Sequence, residues 1–459
     1  MRVALGRVNY SQFYGVYDDI CTERDILIPY SLLVLSTEIN KLGIEVKIFD
    51  AEVHLWSEER LAQEIYKWKP DFVGMTATTT DIMLTMKVCE LLKDLNSSVV
   101  TILGGCHPTV CFKDITNNKI DFIVKGRGEK AIREIINNKC PNRLVEFTDE
   151  YDANYVDYSL IDLSDYTFTD PVKGRVVAVS VMTMYGCPFS CGFCFHNKKT
   201  SYKSVIDFID EVKFLYLDKG VRYFYVYDDT FLLNKKRAFM ILQELEQFKD
   251  AHFQCLVRAN LIDKEAAIQL KEAHFVRVSM GLESGSDMLL KKVSKSVTVK
   301  DGENACRELY KVGIETRASF ILGLPYETKK TIRQTIDYAN RIDLYHANFN
   351  ILTPYPGTDV YYMTLRGEGL KFVNKEYETD WSSYRRWGKS VIETDDLTYK
   401  DLEKSQIDAQ VEFYARQKIF EYYYKLFENG NKSKYFYRPL NFAWKNKFGQ
   451  DISFWKELV

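Results

Sequence analysis

The sequence predicts an α/β protein with a doubly wound, Rossmann-like domain first, a partial (β/α)6 barrel second and a helical carboxyl-terminal region. Three observations support this fold class. Short apolar runs alternate with amphipathic stretches, as in parallel sheets covered by helices. The alternation comes in two series that a polar stretch separates. The chain has 459 residues, which is too long for one ordinary core.

The first series lies in residues 1–145 and contains five apolar runs rich in β-branched residues. Such runs are typical of buried parallel strands. Amphipathic stretches between them predict helices over residues 31–42, 58–67 and 82–95. In a doubly wound sheet, ligands bind at the carboxyl ends of the strands. The five predicted strands are VALGRV, EVKIFDA, DFVGMTA, VVTILGG and DFIVKG.

The residues that follow the third, fourth and fifth predicted strands are suited to a ligand. TATTT is a run of small and hydroxyl side chains, GGCHPT has two glycines that let a ligand approach the backbone, and GRGE leads into a helix. Each loop alone also fits an ordinary turn. Three such loops at successive strand ends favour a ligand site. Its candidate residues are Thr76, Thr78, Gly104, Gly105, His107, Gly126, Gly128 and Glu129.

A polar segment rich in Asp and Tyr, residues 146–175, is predicted to be a linker with little structure of its own. A second series of six strand–helix units follows over residues 176–385 and favours a barrel or part of one, with active residues at the carboxyl ends of its strands. Residues 386–459 then show helical patterns. The predicted barrel strands are VAVSVMTM, RYFYVYD, FQCLVR, VRVSMGL, IETRASFILG and ANFNIL.

Composition and charge predict an ordinary cytoplasmic protein. The net charge of -2 leaves no electrostatic footprint for nucleic acid or an acidic membrane. The first residues, MRVALGRVNY, contain an apolar run too short for a signal peptide or a membrane span. Seven of the ten cysteines are scattered singly, which in a reducing compartment indicates small buried side chains. We expect neither a nucleic-acid nor a membrane partner.

The other three cysteines lie together in YGCPFSCGFCFH, after the first predicted barrel strand. Thiolates are soft donors that select zinc, copper(I) or iron-sulfur clusters. A four-iron, four-sulfur cluster held by three thiolates leaves one iron without a protein ligand. Catalytic metal sites keep such an open position. The sequence therefore favours a cluster on Cys187, Cys191 and Cys194.

A structural zinc site is the alternative, because His196 would complete a set of three thiolates and one imidazole. The second pair of ligands that structural zinc sites usually have further along the chain is absent, and the motif stands where a barrel places its active site. We therefore predict that His196 is not a ligand. His196→Ala should keep the iron content of the protein, whereas Cys191→Ala should lose it.

Further motifs end the other predicted barrel strands. YDDTF offers the carboxylates of Asp228 and Asp229 as acceptors, although solvated turn residues have the same pattern. LVRAN offers Arg258 as a partner for a carboxylate or for an anion beside the cluster. The remaining motifs are GLESGS, with Glu283 and Ser284, FILGLPYET, with Leu322, and TPYPGTD. Each could be a turn, but six motifs in this order indicate one site.

The three-cysteine motif, with Phe193 before its last cysteine, and the order of the strand-end motifs resemble the radical S-adenosylmethionine (SAM) superfamily. The resemblance covers the whole second series. It implies a [4Fe-4S] cluster whose open iron chelates the amino and carboxylate groups of SAM, and whose electron cleaves SAM to a 5'-deoxyadenosyl radical. The cofactor-binding residues that it implies here are Phe193, Asp228, Asp229, Arg258, Glu283, Ser284 and Leu322.

The first series, with GGCHPT and then DFIVKGRGE, resembles the cobalamin-binding domain of the B12-dependent radical SAM class. The resemblance implies that its strand-end loops cradle cobalamin. The sequence differs from other cobalamin proteins at His107, which does not stand in a D-x-H-x-x-G motif. A histidine ligand on cobalt is therefore not expected. Two alternatives stay open: a relic domain that binds nothing, and a nicotinamide site, which the missing G-x-G-x-x-G disfavours.

The resemblance implies a methyltransferase that moves a methyl group from methylcobalamin to an unactivated carbon, or to phosphorus. A cyclase or rearrangement enzyme without methyl transfer is the second enzyme hypothesis, since the motifs are shared. A metal- or cobalamin-binding sensor is the non-enzymatic one. The expected partners are a small-molecule or peptide substrate and an electron donor such as flavodoxin or ferredoxin.

Overall fold

The structure, a computed structural model, describes residues 1–9, 26–147, 156–170, 174–195, 198–431 and 434–457. These residues form two compact units. The amino-terminal unit comprises residues 1–9, 28–147, 156–166 and 379–384. The barrel unit comprises the remaining described residues. No helix in the described part of the chain is long and apolar enough to cross a bilayer.

The amino-terminal unit is built on one fully parallel sheet with the strand order β2-β1-β3-β4-β5-β6. Its strands are β1 (Arg2–Arg7), β2 (Glu45–Asp50), β3 (Phe72–Thr76), β4 (Val100–Gly104), β5 (Phe122–Lys125) and β6 (Leu144–Glu146). Its helices are α1 (Tyr30–Asn40), α2 (Ala51–His54), α3 (Glu58–Lys67), α4 (Ile82–Leu95), α5 (Cys106–Cys111) and α6 (Glu129–Ile136).

Burial explains why these segments are strands and helices. Val3 and Leu5 of β1 are fully buried in a core that also takes Leu32 and Ile39 from α1 and Ile132 from α6. A strand that is covered on both faces buries the side chains of both faces. Its sequence is therefore a nearly continuous apolar run.

The barrel unit is built on a sheet with the strand order β15-β14-β13-β12-β11-β8-β7, of which β7 alone is antiparallel. The strands of this unit are β7 (Thr167–Asp170), β8 (Gly174–Val181), β9 (Met184–Tyr185), β10 (Ser201–Tyr202), β11 (Tyr223–Val226), β12 (His252–Leu256), β13 (Phe275–Glu283), β14 (Glu315–Leu322), β15 (His346–Ile351), β16 (Leu370–Phe372) and β17 (Ile392–Thr394).

Helices follow the parallel strands and cover one face of the sheet. Phe320 of β14, for example, is fully buried and its ring packs edge-on at 6.0 Å against Tyr338 of the helix that follows. The helices of this unit are α7 (Val205–Leu217), α8 (Lys235–Leu245), α9 (Lys264–Glu272), α10 (Asp287–Lys292), α11 (Val299–Lys311), α12 (Lys329–Arg341), α13 (Asp359–Arg366), α14 (Tyr399–Tyr414), α15 (Gln417–Glu428) and α16 (Lys434–Phe448).

The predicted fold class is confirmed. The five amino-terminal runs are β1–β5, the six barrel runs are β8 and β11–β15, and the carboxyl-terminal part is mostly helical. The strand β6 was not predicted, because three residues give no usable pattern. The four sequence segments 1–145, 146–175, 176–385 and 386–459 stay a prediction as domain limits.

The prediction that the segment 146–175 has little structure of its own was wrong for residues 156–170. Two turns of 3-10 helix occupy Tyr158–Leu160 and Leu163–Asp165, and β7 adds an edge strand to the barrel sheet. Asp157 and Asp162 each accept a hydrogen bond from the backbone N–H two residues ahead, at 3.0 and 2.9 Å. The polar composition thus reflects side chains that cap turns rather than an unstructured segment.

Candidate functional site

The cysteine loop follows β8, the first barrel strand. The short antiparallel pair β9–β10 closes it at its base. Its middle is held by Gly192, whose N–H donates to Val293 O at 2.8 Å and whose carbonyl accepts Val360 N–H at 3.0 Å. A Cβ at this position would lie in van der Waals contact with Asp359, 3.4 Å from its Cβ. The loop is therefore held between the carboxyl-terminal end of α10 and the first turn of α13.

Asp228 holds the segment just before the cysteine motif. It is fully buried, and its carboxylate accepts hydrogen bonds from the N–H groups of Thr183 and Met184, at 2.7 and 3.1 Å, and from Thr183 Oγ1 at 2.6 Å. Burial raises its pKa to about 6. These contacts use the carboxylate for the fold, so its predicted contact with SAM stays a prediction.

Asp229, the next residue, is exposed and influences the cysteines. Burial raises the pKa of the Cys187 thiol, and the charges of Asp229 and Cys191 add to that rise. Desolvation raises the pKa of Cys194 to about 12, with smaller contributions from Cys191, Asp229 and Cys187. Charges on the neighbouring thiols and on Asp229 therefore oppose the ionisation of Cys187 and Cys194. A metal cation among them would offset this repulsion.

Within the described residues, which exclude His196, no three His, Cys, Asp or Glu side chains lie close enough to hold one metal ion. A cluster does not require that arrangement, because each thiolate binds a different iron. Ligation by the three cysteines stays a prediction, and the prediction for His196 lies outside the described part of the chain.

Arg258, at the end of β12, lies against the cysteine loop. Its Nη1 donates to Cys191 Sγ at 3.4 Å, and its guanidinium lies 3.7 Å from the centre of the Phe189 ring. Its Nη2 donates to the carbonyl oxygens of Lys295 and Ser296. The sequence singled out Arg258 as a partner for an anion, and the structure places it beside a cysteine sulfur.

Lys295 is the residue of this site that sequence reasoning missed. Its Nζ lies 2.8 Å from Glu283 Oε1, and both side chains are 8% exposed. The ammonium also lies 5.5 Å from the ring centre of Phe193. Ser294 and Ser296, on either side of Lys295, both have positive φ, at 52° and 51°. The sequence does not indicate a role for a lysine between two serines, because its ion pair with Glu283 forms across a turn of the folded chain.

Glu283 itself adopts a positive φ of 62°, which non-glycine residues rarely do. Strained backbone of this kind persists where surrounding contacts hold it, and it concentrates at functional sites. In this conformation Glu283 forms the buried ion pair with Lys295.

Ser284 and Leu322 serve the fold in this structure. Ser284 is fully buried, and its Oγ lies 3.3 Å from Thr335 Oγ1 of α12. Leu322 is also fully buried, and its carbonyl accepts Leu352 N–H at 2.8 Å. The predicted contacts of these two residues with a cofactor stay predictions.

Glu327 was also missed, although it lies in the FILGLPYET motif. It is fully buried, and its carboxyl accepts hydrogen bonds from the N–H groups of Gly323 and Leu324. Burial raises its pKa to about 7. Its role is to shape the turn that follows β14.

The second candidate site lies at the carboxyl edge of the amino-terminal sheet. Gly105, after β4, has φ 111°, and a Cβ there would lie 2.4 Å from Ala77 O and 3.0 Å from Thr76 Oγ1. The loops after β3 and β4 therefore touch at a position that only glycine fits. Thr109 ties in the loop after β5, because its Oγ1 donates to Gly105 O at 2.7 Å and accepts Gly126 N–H at 3.0 Å.

His107 is buried beneath these loops rather than exposed in a turn. Its Nδ1 lies 3.2 Å from Thr79 Oγ1, and its ring meets Trp381 edge-on at 5.2 Å. Burial lowers its pKa to about 4, so it is neutral near neutral pH. The signal for this position was only its place in GGCHPT.

The other predicted residues of this site lie around the same edge. Thr78 Oγ1 is 2.9 Å from Thr80 Oγ1, and the N–H of Thr78 donates to Asp81 at 2.6 Å. Glu129, at the start of α6, accepts both Nε and Nη2 of Arg127 at 3.2 and 3.0 Å. A Cβ added to Gly128 would lie 3.1 Å from the Leu35 side chain, whereas a Cβ added to Gly126 would point into open space.

Two protein-family models match the chain. The model of the B12 binding domain matches residues 24–136, and the model of the radical SAM superfamily matches residues 181–339. The first range contains the glycine-rich loops of the amino-terminal unit. The second contains the cysteine loop together with Arg258, Glu283 and Lys295.

Relatives resemble the chain over most of its length. A protein of Pyrococcus horikoshii named as an uncharacterized methyltransferase is 30% identical over 422 residues, which are 85% of this chain and 88% of that protein. The anaerobic magnesium-protoporphyrin IX monomethyl ester cyclase of Rubrivivax gelatinosus is 26% identical over 350 residues, 69% of this chain and 62% of the cyclase.

Among solved structures, the radical SAM methyltransferase TsrM of Kitasatospora setae, with cobalamin and a [4Fe-4S] cluster bound, matches with a TM-score of 0.64 at 20% identity. The match covers 82% of this chain and 81% of TsrM. This likeness concerns the fold.

Proposed function

The chain belongs to the cobalamin-dependent radical SAM enzymes, and on that premise we propose that it transfers a methyl group to an unactivated carbon, or to phosphorus, of a small-molecule or peptide substrate. Its cofactors are a [4Fe-4S] cluster, SAM and cobalamin. The observation that carries the proposal is the similarity along 85% of the chain to the uncharacterized methyltransferase of Pyrococcus horikoshii.

The residues after the barrel strands fit an iron-sulfur cluster. Cys187, Cys191 and Cys194 supply soft donors, and they would hold it. Burial, with smaller contributions from neighbouring charges, raises the pKa of Cys187 and of Cys194, and a bound cation would instead favour their thiolates. Arg258 adds positive charge beside the loop, where it would attract the thiolates.

The amino-terminal unit fits cobalamin in the same sense. The residues that would hold it are those of the loops after β3, β4 and β5, where Gly105 lets the loops after β3 and β4 pack against each other. His107 is buried and in contact with Thr79 and Trp381, and we propose that it does not bind cobalt. When bound, the cluster supplies an electron for SAM cleavage and cobalamin carries the methyl group.

The chain's own residues have three tasks in this proposal. Asp228 fixes the start of the cysteine loop through Thr183 and Met184. Lys295 orients Glu283, whose second oxygen we propose for a SAM hydroxyl or amine. Arg258 is buried against Cys191, and the low exposure of both side chains strengthens the charge interaction between them. A one-electron donor such as flavodoxin or ferredoxin is the proposed partner.

Cyclisation or rearrangement without methyl transfer is the second candidate. The similarity to the anaerobic cyclase of Rubrivivax gelatinosus favours it, although the chain spans only 62% of that protein. Both candidates need the same cofactor-binding residues, so the fate of the methyl group distinguishes them.

The test follows that methyl group without needing the substrate. The anaerobic, cluster-loaded and cobalamin-loaded protein is reduced and incubated with SAM carrying a labelled methyl group. We expect label in the cobalamin recovered from the protein. In the presence of a small-molecule extract of the source cells, we expect label in a new product.

Cysteine variants supply the control for this test. Cys191→Ala should abolish formation of 5'-deoxyadenosine, because the cluster is lost. Cleavage of SAM by the wild-type protein with no label in cobalamin or product would reject methyl transfer and favour the cyclase alternative. No cleavage by a protein with full iron content would reject both candidates.

A further inference from the structure

Arg258 makes the closest polar contact to a cysteine of the loop from outside it. Its Nη1 donates to Cys191 Sγ at 3.4 Å. The side chain is 7% exposed, and the Phe189 ring covers its guanidinium at 3.7 Å. A hydrogen bond to a cysteine sulfur that is also shielded from water is one of the groups that set the reduction potential of an iron-sulfur cluster.

The guanidinium cannot easily turn away from the sulfur. Its Nη2 is held by the carbonyl oxygens of Lys295 and Ser296, and its backbone N–H donates to Thr230 Oγ1 at 3.3 Å. Its buried Nε has no hydrogen-bond partner among the described residues. A planar guanidinium held at one edge presents its other nitrogens in fixed directions.

Arg258 is the cation in contact with Cys191, whereas the charge of Asp229 acts on Cys187 and Cys194. Lys295 is neutralised by Glu283 at 2.8 Å. Arg258 contacts a sulfur and carbonyl oxygens in the described structure, with no carboxylate among these partners. Its full charge therefore acts on the thiolates, and charge acts strongly over such distances in a buried site.

We propose that Arg258 sets the reduction potential of the cluster and positions Cys191 for it. Reduction takes one electron from a low-potential donor, which is dithionite in the assay, and it adds one negative charge without breaking a bond or moving a proton. Because the guanidinium attracts that added charge, it stabilises the reduced cluster more than the oxidised one. The inference rests on the proposed function only for the presence of the cluster.

The experiment measures the midpoint potential of the reconstituted full chain by anaerobic redox titration, with the EPR signal of the reduced cluster as the readout. Arg258→Gln should shift the midpoint to a more negative value. The expected change is about tenfold in the ratio of reduced to oxidised cluster, which is about 59 mV for one electron. Arg258→Lys keeps the charge but loses the fork, so its midpoint should lie between the two.

Arg416 offers a matched control in the same unit. Its guanidinium also lies over a phenylalanine ring, that of Phe413 at 4.3 Å, and it donates to backbone carbonyl oxygens, including that of Phe413 at 2.9 Å. It packs at the carboxyl-terminal helices and has no contact with a cysteine of the loop among the contacts described. Arg416→Gln should leave the midpoint potential unchanged.

The outcomes separate this inference from the proposed function. A wild-type protein without four-iron content would reject the function itself. Full iron content in Arg258→Gln with an unchanged midpoint would overturn the inference. If Arg258→Gln loses iron, Arg258→Lys decides: a fully loaded lysine variant with the wild-type midpoint would also overturn it. An equal shift in Arg416→Gln would show that the effect is not specific to Arg258.

Discussion

Neighbouring acidic residues in YDDTF have opposite surroundings. Asp228 is fully buried and accepts three hydrogen bonds from the segment before the cysteine loop, whereas Asp229 is exposed and acts on the thiols by its charge. The sequence treats the two carboxylates alike. Which of them points inward depends on the position at which β11 ends, and only the folded sheet decides that.

Glu327 is another acidic residue whose burial only the folded structure decides. Its carboxyl group is fully buried at the turn after β14 and accepts hydrogen bonds from the N–H groups of Gly323 and Leu324. Burial raises its pKa to about 7, so near neutral pH the residue is partly protonated. The folded protein thus binds this proton more tightly than the unfolded chain does.

This difference predicts how stability depends on pH. A raised folded-state pKa adds stability that is complete below the ordinary value of 4.5 and is lost as the pH rises through about 7. Glu327→Gln mimics the protonated acid and should not show this loss. Between about pH 5 and 8, wild-type stability should therefore fall relative to the variant by up to about 3 kcal/mol.

Urea unfolding followed by circular dichroism, under anaerobic conditions at several pH values, measures this difference. Glu376→Gln is the control, because Glu376 is exposed and its substitution should give a curve parallel to that of the wild type. Parallel curves for wild type and Glu327→Gln would contradict the prediction.

At the scale of elements, the loops of the amino-terminal sheet differ in how tightly they pack. Gly105 lies at φ 111° with Ala77 against its missing side chain, while Gly126 lies at φ 86° with open space. Both glycines look equally permissive in the sequence. The contact between the loops after β3 and β4 makes only Gly105 irreplaceable.

Because their surroundings differ, replacing each of the two glycines by alanine should lower the free energy of unfolding by a different amount. Gly105→Ala should destabilise the protein by about 3 kcal/mol, since it adds backbone strain and a clash with backbone atoms. Gly126→Ala should cost about 1 kcal/mol from its φ alone. Thermal unfolding and cobalamin content per chain measure both effects. Equal costs would mean that the loops move apart without penalty.

A second element-scale feature is the turn that carries Lys295. Two serines with positive φ flank it, and its carbonyl and its ammonium contact Arg258 and Glu283 respectively. The turn thus links the ends of β12 and β13 to the cysteine loop, which Val293 also contacts. A short strained turn connects three strand ends that lie far apart in the sequence.

At the scale of the whole molecule, each unit has its own sheet, its own core and its own candidate site. The candidate ligands of the cluster all belong to the barrel unit, and the glycine-rich loops all belong to the amino-terminal unit. Neither set borrows a residue from the other. The two cofactors should therefore load independently.

Metal analysis of the full chain tests this independence. Replacing Cys187, Cys191 and Cys194 together by alanine should remove iron and leave the cobalt content at the wild-type level. Gly105→Ala should lower cobalt content and leave iron unchanged, because no cluster ligand is altered. Loss of both metals in the cysteine variant would show that the sites depend on each other.

Much of the fold and part of the site could be predicted from the sequence. Buried parallel strands show as apolar runs, so β1–β5 and the six parallel barrel strands were located correctly. The cysteine spacing pointed to the correct family because three thiolates in eight residues constrain chemistry strongly. The strands β6 and β7 were not predicted because they are short. The turns around Asp157 were not predicted because side-chain hydrogen bonds form them.

By itself, the sequence determined the order of elements, the two cofactor modules and the three cysteines, because periodicity and spacing are local properties of the chain. Tertiary structure alone decided which polar residues are buried and what they contact. It placed Arg258 on Cys191, Lys295 on Glu283 and His107 against Trp381. These contacts join residues far apart in the chain, and burial, which sets their strength, exists only once the sheets have formed.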